Sequence, residues 1–271
     1  MVGPDEGTAD GSVRRGLAEE GVAAAALAIW AVFFGLYALA FLCFQYQAFA
    51  PNFSPLKSAL GMIPLAVLMI PLAVAGPGLA RRYGVRPVVA CSLLMGGLGA
   101  AIAGVLGPSQ GYWGLAVGFF IFGGIGLGGA PVTEAITQRL PAAKQGVASA
   151  VNNLTRELGA VFGVAVTGTA FNMGYRHEIS AALDPATDPL SELARESPAA
   201  GLAVVPQAGP EAPRYLQAVL DGVDTAWLAA MGTVAAFFAL AGIVFVRAFG
   251  AGPGASQDSE PSSTASMTQA T

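Results

Sequence analysis

Six apolar runs, each close to the length of a bilayer-crossing helix, divide this chain: about 22–44, 58–80, 87–106, 112–133, 147–173 and 224–246. A hydrocarbon core about 30 Å thick asks for about 20 apolar residues per helix. The spacing therefore predicts an all-α membrane protein with six transmembrane helices. Composition supports this, with 54% apolar and 11% charged residues against roughly 25% charge in soluble domains. So few charges cannot coat a soluble globule of 271 residues. The net charge of −4, without a basic face, argues against a nucleic-acid partner. Cys43 and Cys91 both fall inside apolar runs and His177 is the single histidine, so neither a disulfide framework nor a metal site is expected. Hydrolysis would need a nucleophile beside a base, and the sequence offers no such constellation. No cofactor and no enzymatic activity are expected.

The first run is too long for a signal peptide, and Glu19 and Glu20 stand where a basic segment would be. It is expected to remain as a helix behind a leader at 1–21. Pro64, Pro71 and Pro77 in the second run predict a kinked helix of the kind that neighbouring helices re-satisfy in a membrane. Basic residues in short loops stay on the cytoplasmic side. With the N-terminus inside, the inner segments hold Arg14, Arg15, Arg81, Arg82, Arg86, Arg139, Lys144 and Arg247, and the short outer loops hold Lys57. Both termini are therefore expected in the cytoplasm of a multi-pass protein of the cell membrane, with a bundle over 22–249. The connection 174–223 would lie outside as a solvated lid, with a short helix from Leu190 to Glu196. An apolar stripe of Tyr215, Leu216, Val219, Leu220 and Val223 leads into the last span. Residues 250–271 are rich in Gly, Ser, Thr, Pro and Gln with little apolar content and read as a disordered tail.

Small residues let helices approach closely in lipid. Gly124 and Gly128 make one G-x-x-x-G pair, and Gly159 and Gly163 make another. The most polar part of any run is Asn152, Asn153, Arg156 and Glu157. At helical spacing Asn152, Arg156, Gly159 and Gly163 share one face, with Asn153 and Glu157 displaced from it. Intramembrane charges are functional candidates, so Arg156 could bind an anionic or polar group and Glu157 could accept a proton. The charge-free run from Leu158 to Tyr175 nearly crosses a bilayer by itself, which favours a gating or structural role at the inner boundary over direct contact with substrate or protons. Glu134, near the inner end of the fourth run, is a candidate partner for this charge or a solvated loop residue.

Pro77 to Val89 resembles the loop signature of the major facilitator superfamily, G-x-L-A-D-R-x-G-R-K-x-x-L. Leu79, Ala80, Arg82, Gly84 and Arg86 match it, while Arg81 stands at the aspartate position and Val85 at an arginine position. Gln45 and Gln47, followed by Ser54-Pro55-Leu56, Gly61 and Pro64, resemble that family's fourteen-helix drug:proton antiporter branch. Gly146 to Gly168, with Asn152, Asn153, Arg156 and Glu157, resembles the branch's penultimate helix. The resemblance covers about residues 22–250 and implies the C-terminal six-helix half of such a transporter, with Leu79, Arg81, Arg82, Gly84 and Arg86 in a cytoplasmic gating loop. It further implies efflux of a small amphiphilic substrate in exchange for protons. Such folds enclose their substrate between two halves, so the partners implied are the lipid bilayer and either a complementary N-terminal half or a second copy. The alternative is a non-transporting truncated fragment or a membrane assembly partner.

Overall fold

A computed structural model describes residues 6–49, 56, 60–107, 112–137, 145–183 and 189–250, all but a few of them helical. The helices are α1 (Glu6–Phe49), α2 (Ile63–Tyr83), α3 (Val85–Leu106), α4 (Tyr112–Phe122), α5 (Gly126–Thr137), α6 (Gln145–Ala182), α7 (Pro189–Glu196), α8 (Pro198–Val204) and α9 (Ala212–Gly250). Short 3₁₀ segments at Gly123–Ile125 and Val205–Glu211 join α4 to α5 and α8 to α9. The Gln47 side chain, Lys57, Arg139, Lys144 and the tail after Gly250 lie outside the described residues.

Among the described residues, five stretches are long and apolar enough to cross a membrane: Ala25–Gln45, Ile63–Tyr83, Val85–Leu106, Trp113–Glu134 and part of Pro198–Ala248. The expected span at 147–173 lies inside α6, which is long enough but not in this set. Asn152, Asn153, Arg156 and Glu157 in its first half, and Thr167, Thr169 and Asn172 in its second, account for the lower apolarity.

The bundle is centred on α1, α6 and α9, with α3 against α9 and α2 against α4 and α5. Phe34 and Phe237 stack at 4.0 Å between ring centroids, and Trp30 meets Phe237 edge-on at 5.0 Å. Glycine sets how closely the backbones approach. A methyl group at Gly159 would sit 2.6 Å from the Trp30 carbonyl oxygen, and one at Gly163 would collide with the Phe34 carbonyl. Gly124 lies against Met95 and Gly128 against Ser92, on the other side of the bundle.

Prolines leave α2 continuous. Pro64 occupies its first turn, where the missing N–H costs nothing, and Pro71 and Pro77 lie inside it. In α5, Pro131 cannot donate to the Leu127 carbonyl. That oxygen lies close to Gly76 of α2, where a side-chain carbon would come within 2.6 Å of it. At the 3₁₀ break, the Ser92 hydroxyl donates to the Ile125 carbonyl at 2.9 Å.

The stretch 174–223 is mostly helical in its described residues and has a buried interior. Tyr175 is fully buried and its hydroxyl donates to the Ala194 carbonyl at 2.9 Å. Ser197 caps α8 by accepting from the Ala200 N–H. Arg214 donates to the Ala182 carbonyl at 2.9 Å, satisfying an orphan acceptor at the end of α6. Tyr215, Val219 and Val223 are buried, whereas Leu216 and Leu220 are exposed.

Candidate functional site

One residue separates α2 from α3. Gly84 has φ +90°, and its N–H donates to the Ala80 carbonyl at 2.9 Å, closing α2. A positive φ of this size is open to glycine and costly for residues with a Cβ. The turn fixes the arginines on either side of it. Arg81 and Arg82 occupy the last turn of α2, where positive charge complements the helix dipole. The Arg82 guanidinium lies 5.3 Å from the centre of the Tyr83 ring, and Leu79 is half-buried.

Arg86 reaches across the bundle, its Nη2 donating to the Val246 carbonyl at 3.0 Å. Arg247 follows in the last turn of α9. The loop is thus tied to the end of α9 by a guanidinium, and Arg81, at the aspartate position of the family signature, is exposed.

A second polar corner forms between α1, α5 and α6. Arg156 Nη2 donates to the Thr133 hydroxyl at 3.1 Å, and that hydroxyl in turn donates to the Gly129 carbonyl at 2.9 Å. The Arg156 guanidinium also lies 4.9 Å from the centre of the Phe33 ring, within range of a cation–π attraction. Asn152, one turn earlier, is half-buried. Among the described residues, Arg156 Nε and Asn152 Oδ1 are buried without a hydrogen-bond partner. Leaving a buried polar group unpaired costs about 1–3 kcal/mol. One donor and one acceptor one turn apart can hold a group that both accepts and donates. Glu134 is half-buried beside Thr133.

These candidates do not form one cluster. Asn153 and Glu157 are exposed, off the Arg156 face. Gln45 lies 12 residues beyond Phe33 on α1, about 18 Å along the axis at 1.5 Å per residue. Thr133, Phe33 and the Val246 carbonyl were absent from the sequence reading. They come from other helices, and no local pattern announces them.

The profile of the Major Facilitator Superfamily matches residues 9–164, more than half of the chain. Over 126 residues the chain is 31% identical to the cephamycin export protein CmcT of Amycolatopsis lactamdurans, covering 45% of this chain and 26% of that protein. Over 146 residues it is 28% identical to the multidrug efflux pump LfrA of Mycolicibacterium smegmatis, covering 54% of this chain and 29% of the pump. The chain therefore spans less than a third of the length of these relatives.

Proposed function

We propose that this chain, which belongs to the major facilitator superfamily, is the C-terminal half unit of an efflux transporter of the fourteen-helix branch. It works by proton antiport on a small amphiphilic substrate, in the cell membrane, with both termini cytoplasmic. In this reading α6 carries the fifth of the six spans. Its polar first half lies at the inner boundary, packed against α1, and its charge-free run from Leu158 to Tyr175 crosses the bilayer. The export and efflux functions named for the two relatives support the direction of transport.

The exposed face of α2 carries the proposal. Within α2 the buried residues are Leu65, Gly76 and Ala80, while Ile63, Val67, Ile70 and Val74 are exposed along one side. On α6, Leu154, Leu158, Val161 and Phe162 are likewise exposed. Two uncovered apolar faces are what a half-bundle presents to a complementary half or a second copy. Arg81, Arg82, Gly84 and Arg86 then form a cytoplasmic gating loop, with Arg86 latching it to α9. Arg156 and Asn152 contribute to the inner wall of the substrate path.

Proton-driven dye movement in inverted vesicles tests the proposal. The chain alone is expected to move no dye, and co-expression with the six-helix half that complements it is expected to restore movement. Continued absence of transport with that half supplied overturns the proposal and favours a non-transporting assembly partner.

A further inference from the structure

We propose that the groove between α3 and α9 binds an anionic phospholipid, one acyl chain lying along it and the headgroup phosphate held by Arg86 and Arg247. The inference requires that α3 and α9 cross a bilayer and requires nothing about transport.

The groove has a volume of about 830 Å³ and is walled by apolar side chains, including Cys91, Leu94 and Leu98 on α3 and Ala239 and Ile243 on α9, with Arg247 the exception. Gly97 and Gly242 thin its two walls, and buried Phe238 underlies it. From Ala90 to Ala101 it runs about 16 Å at 1.5 Å per residue. That is close to half of a hydrocarbon core about 30 Å thick, the depth of one leaflet.

Its charge sits at one end. Arg247 lines the groove beside Val246, and Arg86 is held there by its hydrogen bond to the Val246 carbonyl. Both arginines are exposed, so their remaining N–H groups are open to a ligand. A guanidinium pairs with phosphate through directed, charge-assisted hydrogen bonds, and basic pockets between helices on the cytoplasmic side select anionic headgroups. An apolar trough one leaflet deep with two guanidinium groups at its mouth has the charge and length of a lipid molecule. A protein helix docked there would fill the trough and leave the arginines without an anionic partner.

The chain purified in a neutral detergent provides the test, by native mass spectrometry with phosphatidylglycerol and phosphatidylcholine of identical chains. Phosphatidylglycerol is expected to be retained at least tenfold better. Each arginine contributes about fivefold, so the double variant Arg86→Gln/Arg247→Gln should weaken retention by about 25-fold. Ala239→Phe should weaken retention of both lipids by obstructing the trough, and glycerol 3-phosphate should not compete.

A second readout needs no variant. Cys43 is buried and Cys91 exposed, so a bimane fluorophore reports from Cys91 in the groove wall. Phosphatidylglycerol with brominated chains should quench it at lower lipid ratios than brominated phosphatidylcholine. Equal retention and quenching by the two lipids would overturn the proposal. So would effective competition by glycerol 3-phosphate, or a second polypeptide that displaces the lipid from the groove.

Discussion

Helices α2 and α9 are both apolar and both long enough to cross a membrane, yet the fold treats them in opposite ways. α9 packs on α1, α3 and α6, and its Trp227, Phe238 and Phe245 are fully buried. α2 buries Leu65, Gly76 and Ala80 and leaves Ile63, Val67, Ile70 and Val74 facing outward. Hydropathy measures affinity for a non-aqueous surrounding and cannot distinguish lipid from another helix. The contrast comes from shape. α9 has large side chains set against glycine: Phe238 fits where Gly35 and Gly96 leave room, and the Trp227 indole N–H donates to the Ala103 carbonyl at 2.9 Å.

Gly163 lies in the close-packed core that α9 shares with α1 and α6. Gly163→Leu places carbon against the Phe34 backbone, which cannot swing away. It should destabilise the chain by about 3 kcal/mol or more, read as loss of a monodisperse peak on detergent gel filtration. Gly232→Ala, with open space beside it, is the matched control. It should be neutral or stabilising by up to about 1 kcal/mol.

Trp227→Phe should cost about 1–3 kcal/mol in thermal unfolding, since it removes a buried donor together with part of a filled volume. Tyr175→Phe comes next, at about 1 kcal/mol for the lost hydrogen bond. Smallest of all, Val74→Ser on the exposed face of α2 should change the stability of the isolated chain by less than about 0.5 kcal/mol. A cost as large as that of Gly163→Leu would show that α2 is already packed within this chain.

The second and third helices were legible because charge punctuates them. The apolar runs end at Arg81, Arg82 and Arg86, and the structure places α2 at Ile63–Tyr83 and α3 at Val85–Leu106. The short helix α7 was legible because Pro189 opens it and its apolar residues follow helical spacing. The folded interior of 174–223 was not, because Ala, Pro and Gly dilute its hydropathy and its anchor, the hydroxyl of Tyr175, finds the Ala194 carbonyl 19 residues away. Arg156 stood out as a charge in an apolar setting, but its partners Thr133 and Phe33 come from α5 and α1. The Arg86 to Val246 bond spans 160 residues, and a carbonyl carries no sequence identity to read. Arg81 shows the same limit: the signature predicts an acid there, and the turn holds with Gly84 and Arg86 in its place.

In the proposed assembly α2 and α6 present their apolar faces to another protein half. Site-directed cross-linking in native membranes tests this most directly, with single cysteines at Val74 and Val161 in a chain carrying Cys43→Ala and Cys91→Ala. Both positions are expected to cross-link to one partner of a single mass and to be shielded from a lipid-soluble maleimide. Free labelling at both positions with no cross-linked species would contradict it, because those faces would then lie in lipid.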